Sequence, residues 1–162
     1  MFHKARELYA VGQIIAKGHW IQLTQGMGTR NENYVFFSEC LFEYVRQTEF
    51  PSALSRTSAT FVFESEGDAQ RMPDRSSHYP EHIYRVRPAG NPCTQFKADM
   101  GWLTALENAS HTFDGVQEFI RSYWRGDPYF KSDESHFEIL LDCNIEIIER
   151  LTPIPENGFA KR

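Results

Sequence analysis

The sequence predicts an α+β fold with a largely antiparallel, irregular sheet. Three observations carry this. Phe137, Ile139 and Leu141 alternate in the manner of a half-buried strand, while Phe113, Val116, Ile120 and Tyr123 fall on one stripe of a helix. The elements also run in the order strand, helix, strand, helix, several strands, helix and a closing pair of strands, with no internal repeat or low-complexity tract. The chain has 162 residues, enough to bury about two-thirds of its unfolded surface as one domain. That domain is expected to span residues 1–152, with 153–162 a frayed tail.

Residues 8–11 (LYAV) read as a short strand closed by Gly12, and the Gly-rich stretch 25–33 (QGMGTRNEN) as a mobile loop. A helix is predicted over 36–48, where Phe37, Cys40, Leu41, Tyr44 and Val45 have helical spacing and Ser38 is a possible cap. Residues 56–63 are rich in Thr, Val and Phe and read as a strand. A short helix over 66–72 follows and is stopped by Pro73. The stretch 82–87 (HIYRVR) alternates as a strand between Pro80 and Pro88, and 95–100 carries a weaker strand pattern. The helix over 113–124 has Asp114 and Glu118 in its first half and is ended by Gly126 and Pro128. The strand 137–141, a turn at Asp142-Cys143-Asn144 and the strand 145–151 read as a β-hairpin.

Composition narrows the function classes. A net charge of −5, from 17 basic and 22 acidic residues, gives no broad surface for polyanions. Cys40, Cys93 and Cys143 are odd in number, far apart and in no CxxC pair, so they read as free thiols in a reducing compartment. No run has the length of a signal peptide core or a membrane span, and the expected location is cytoplasmic. His78 and His82 have the spacing of a helical metal-ligand pair, but Pro80 between them spoils the helix, so no metal is expected. The strings of the P-loop, the Rossmann turn and the hydrolase elbow do not occur.

The residue type that asks for explanation is Glu138. Period-two geometry sends His136, Glu138 and Leu140 to the face opposite Phe137, Ile139 and Leu141, which places a carboxylate between hydrophobes. A solvated edge position is the alternative reading.

The ordered set LYAVG, FPSALSRTSATFVFESEGDAQRM, HIYRVRP, KADMGWL, YWRG and FEILLDCNIEIIERL resembles small bacterial and phage domains related to mono-ADP-ribosyltransferases, across most of the chain. The resemblance implies a split, two-sheet fold around a cleft that binds NAD as ADP-ribose donor. It implies an intracellular toxin or phage effector acting on a nucleic acid or protein acceptor, with a neutralising antitoxin or immunity protein as a partner. The family's first strand supplies Arg or His to the cofactor; this chain offers Tyr9, with Arg6 and His19 nearby. Its second strand bears Ser or Thr, matched by Ser55, Arg56, Thr57 and Ser58, with Ser55 and Ser58 toward the nicotinamide ribose. Its late strand carries the catalytic Glu, matched by Glu138, but His136 stands where Gln or Glu is usual.

The chemistry wants these residue types. Cleavage between nicotinamide and ribose builds positive charge on the sugar, which a fixed carboxylate stabilises without reorganisation. Arg56 suits a pyrophosphate because its planar fork makes bidentate contacts, although a surface Arg before a strand would look the same. His136 is placed to orient an acceptor other than an arginine side chain. Tyr123 and Trp124 either stack on nicotinamide or anchor their helix in the core, with the core favoured. With water as the acceptor such an enzyme would be an NAD glycohydrolase, and the missing Arg or His in the first strand supports a further alternative, a non-catalytic binding module that keeps the fold.

Overall fold

The computed structural model describes residues 1–18, 30–72, 81–90, 92–108, 112–129 and 135–152, without the side chains of 30–35, 107, 108 and 113. These residues form strands β1 (Phe2–Ala5), β2 (Ile14–Ile15), β3 (Thr60–Val62), β4 (His82–Ala89), β5 (Gln95–Asp99), β6 (Phe137–Leu141) and β7 (Asn144–Arg150). The helices are α1 (Arg30–Glu49), α2 (Glu66–Arg71), α3 (Gly101–Asn108) and α4 (Phe113–Arg125). The class is α+β. The strands form two sheets, ordered β1-β4-β7-β2 and β3-β6-β5, with every described pairing antiparallel.

Alternation decides how the layers stack. Ile145 and Ile147 of β7 and Tyr84 and Val86 of β4 cluster with Val62, Ile139 and Leu141 of the smaller sheet, which makes the core between the sheets. The opposite face of the smaller sheet presents Phe61, Phe96, Ala98 and Leu140 to Phe42 and Val45 of α1 and to Ile120, Tyr123 and Trp124 of α4. Apolar side chains on both faces are what a sheet covered on both sides requires. Helix α4 is capped as its sequence dictates: Thr112 accepts from the Gly115 N–H, and Gly126 ends it with φ 74°. Helix α3 starts where the buried Asp99 carboxylate accepts from the N–H groups of Gly101 and Tyr129. A Cβ at Gly101 would lie 2.6 Å from the Tyr129 side chain, so only glycine fits there.

Several sequence expectations are corrected. Residues 8–11 are not a strand: the Ala10 N–H turns back to the Gln13 side chain, the Gln13 N–H bonds Ala10 O, and Gly12 takes φ 83°. The short strands at 2–5 and 14–15 form instead. Helix α1 begins at Arg30, so residues 30–33 of the expected loop are helical, while 25–29 lie outside the described residues, as do His19, His78 and the tail 153–162. The strand expected over 56–63 is confined to Thr60–Val62, because residues 56–58 form a turn. The strand expected from His82 is present as β4.

The expected hairpin of β6 and β7 does not exist. These strands belong to different sheets, and the chain crosses between them at Asp142 and Cys143. The β4–β7 ladder ends at Ala89 opposite Asn144, and the β5–β6 ladder starts at Gln95 opposite Leu141. The two ladders are thus one antiparallel ribbon, bent where it passes from one sheet to the other. Cys93 and Cys143 are not free thiols. They form a disulfide across that bend, with Cα atoms 5.3 Å apart, and Cys40 alone is free among the cysteines. The expectation of a reducing compartment rested on three unpaired thiols, and the bridge removes that support. Among the described residues no helix is long and apolar enough to cross a membrane.

Candidate functional site

Three of the sequence candidates converge on the helix-covered face of the smaller sheet. Glu138 lies on its central strand β6, and alternation turns it toward the helices with Leu140, as the sequence predicts. Arg56 reaches it from the turn that precedes β3, which is closed by the Ser58 and Ala59 N–H groups donating to Ser55 O. Tyr123 comes from the inner face of α4. The Arg56 Nη1 donates to Glu138 Oε1 and to the Tyr123 hydroxyl, and that hydroxyl donates to the same Glu138 oxygen at 2.8 Å.

The fourth member is Glu39 of α1. Its carboxylate takes the other side of the guanidinium in bidentate fashion, from Nε at 2.8 Å and from Nη2 at 2.9 Å. Glu39, Arg56, Tyr123 and Glu138 are 5, 4, 0 and 3% exposed. The guanidinium carbon also lies 4.8 Å from the Phe61 ring centre, 5.1 Å from that of Tyr123 and 5.7 Å from that of Phe42. Aromatic faces are favourable surroundings for a desolvated guanidinium. Burial works against the Arg56 charge, but the carboxylates of Glu138 and Glu39 more than offset it and raise its pKa well above the ordinary value. Burial, reinforced by the Glu138 carboxylate, likewise raises the Tyr123 hydroxyl and keeps it a donor. The cluster holds one guanidinium and two carboxylates, a formal charge of −1.

Sequence reasoning missed Glu39. The register Glu39, Phe42, Val45 is helical spacing too, and a Glu in line with two hydrophobes was the available signal. The residues expected to form the inward stripe of α1 point mostly outward. Only Val45 is buried, while Phe37, Cys40, Leu41 and Tyr44 are exposed, with Phe36 beside them.

The remaining candidates are placed elsewhere. Tyr9 packs on the core between the two sheets, edge to face with Tyr84, its N–H bonded to the Tyr84 hydroxyl and its own hydroxyl to Glu7. Burial, with the Glu7 carboxylate adding, raises the Tyr9 pKa. It therefore belongs to the opposite side of the smaller sheet from Glu138. His136 precedes β6, stacks on Phe63 at 5.6 Å and donates from Nε2 to Asp68 O at 2.7 Å, in an apolar cluster separate from that of Tyr123. Ser55 donates to Glu43 of α1 and pairs with Thr57, which fixes the Arg56 turn to the helix. Ser58 is exposed beside Gly18. Trp124 is in the core, its indole N–H donating to Phe42 O at 2.9 Å.

An NAD site needs an Arg fork open to phosphate and a carboxylate open to ribose. Here the fork is filled by Glu39, and Glu138 is enclosed by Arg56 and Tyr123, so these residues do not fit the cofactor in this conformation. Among the described residues no three His, Cys, Asp or Glu side chains converge as metal ligands. A family model described as a protein of unknown function (DUF2441) matches residues 8–153. No curated protein matches the sequence.

Proposed function

The chain belongs to the DUF2441 family, whose function is unknown, and on that premise we propose that it is a non-catalytic binding module on a two-sheet scaffold. The observation that carries this reading is the division of α1 into two faces. Its inner face supplies Glu39 to close off Arg56 and Glu138; its outer face leaves Phe36, Phe37, Leu41 and Tyr44 exposed, Phe37 and Tyr44 by 63 and 65%. A continuous apolar arc on one exposed helix marks a contact surface more often than an accident of composition. The occupant we propose is a protein with an apolar groove that accepts a helix face. The net charge of −5 disfavours an anionic membrane or a nucleic acid as the partner.

The second reading is an NAD-dependent mono-ADP-ribosyltransferase of the toxin or phage-effector type. One observation favours it: Glu138 stands on the central strand of the smaller sheet, a late strand as the resemblance implies for the catalytic carboxylate. Incubation with NAD separates the two. The binding module neither releases nicotinamide nor gains thermal stability from NAD. Nicotinamide release that disappears in Glu138→Gln, with the variant still folded, would replace the first reading by the second.

A further inference from the structure

The bend in the ribbon joins two chain crossings that are far apart in sequence. The chain passes from β4, which ends at Ala89 in the larger sheet, to β5 in the smaller one by way of Cys93, and Asp142 and Cys143 carry it back from β6 to β7. The disulfide links one crossing to the other across a sequence separation of 50.

The two sides of this link are held unequally. The Cys143 side is buried, its carbonyl accepting from the Thr60 hydroxyl at 3.0 Å. It is also secured through Lys17, whose N–H bonds the Asn144 side chain and whose ammonium pairs with Asp142. Cys93 is only half-buried. Its crossing contains Gly90 at φ 129° with open space around it and meets the other crossing through the bond from Asp142 N–H to Thr94 O, 2.9 Å, and through the bridge itself.

We propose that the Cys93–Cys143 bridge is a redox-sensitive tie between the two sheets, and that a dithiol reductant opens it to release the crossing at residues 92–94 while both sheets persist. A reductant thiolate attacks the Cys93 sulfur, the more accessible of the two, and forms a mixed disulfide. The Cys143 sulfur leaves as a thiolate and takes a proton from solvent. The second reductant thiol then closes on the first as its own proton is released, and the Cys93 sulfur leaves and is protonated. Two electrons pass to the protein, and the reductant ends as a disulfide. The oxidised form has its crossings locked together. In the reduced form the Asp142 to Thr94 bond and the flanking ladders remain between them among the described residues.

The test is amide hydrogen exchange on the full chain with and without dithiothreitol, alongside a thiol count in denaturant. One thiol, Cys40, is expected without reductant and three with it. Reduction should lower protection at Asp142, whose N–H bonds Thr94 O, on the order of tenfold or more, as expected for a local opening, and leave Ile145 and Ile147 unchanged. Cys93→Ser/Cys143→Ser should match reduced wild type whether or not dithiothreitol is present. If that variant does not fold, the reduced wild type alone decides. Three thiols before reduction, equal protection in both redox states, or a uniform loss across both sheets would overturn the proposal.

Discussion

Replacing Arg56 by Met tests what holds the buried cluster. Methionine fills much of the same space without a charge, so the main change is electrostatic. Four donor contacts vanish, two to Glu39 and one each to Glu138 and the Tyr123 hydroxyl. Two carboxylates then remain in a pocket of aromatic rings with no cation between them. Removing one partner of a buried ion pair costs about 3–5 kcal/mol, against about 5–15 kcal/mol for the whole fold of a typical domain. Glu39→Gln is the control that gives the number meaning. It raises the formal charge of the cluster from −1 to zero and keeps one amide oxygen for Arg56, so its cost is that of one lost and one weakened hydrogen bond, about 1–3 kcal/mol. Urea unfolding read by tryptophan fluorescence suits both variants, since Trp124 packs against Phe42 and Tyr123 at the edge of the cluster. A loss below about 1 kcal/mol for Arg56→Met at unchanged denaturant slope, or a greater loss for Glu39→Gln, would refute the assignment of Arg56 as the hub.

Gly126 ends α4 in the left-handed region and a Cβ there would meet Lys97 O at 3.3 Å, so Gly126→Ala should lower stability by about 1–2 kcal/mol, measured by the same unfolding curve. Burial, with Arg150 adding, lowers the His82 pKa below its ordinary 6.5. The unfolded chain therefore binds a proton before the native one does, and the stability this group contributes is full above pH 6.5 and lost as the pH falls through the folded value. The decline of the urea midpoint on acidification should accordingly be shallower in His82→Gln than in wild type. Phe37→Ser on the exposed face of α1 should change stability by no more than about 0.5 kcal/mol, and a thermal shift corresponding to more than about 2 kcal/mol would mean that the face is covered.

Local pattern was enough wherever one element dictated its own geometry. The alternation through Phe137, Ile139 and Leu141 located the strand and turned Glu138 to the right side, and Gly126 closed α4 where the sequence placed the stop. Interactions between distant residues were another matter. Helix α1 has hydrophobes on both faces, so periodicity pointed at Phe37, Leu41 and Tyr44, whereas its orientation is fixed by Glu39 meeting an arginine 17 residues away. Asp142-Cys143-Asn144 carries good turn residues, and a local reading makes a hairpin of them. What sends the chain to the other sheet is the pairing of β6 with β3 and β5 and of β7 with β4 and β2, with the Thr60 hydroxyl and a disulfide partner 50 residues back tying the bend, none of which is visible in the turn itself.

The position of β7 has a consequence for how the protein is made. This strand lies between β4 and β2 in the larger sheet, and β2 has β7 as its only ladder partner among the described strands. Ile14 and Ile15 thus wait for Glu146 and Ile145, some 130 residues later on the ribosome. Until β7 emerges, β4 offers the unpaired backbone edge that β7 will occupy. At about 5–20 residues per second such an edge stays open for many seconds of synthesis, and open edges recruit other strands. A chain halted before residue 144 should therefore be a substrate for chaperones or an aggregation seed, while the finished chain completes the sheet in one late step.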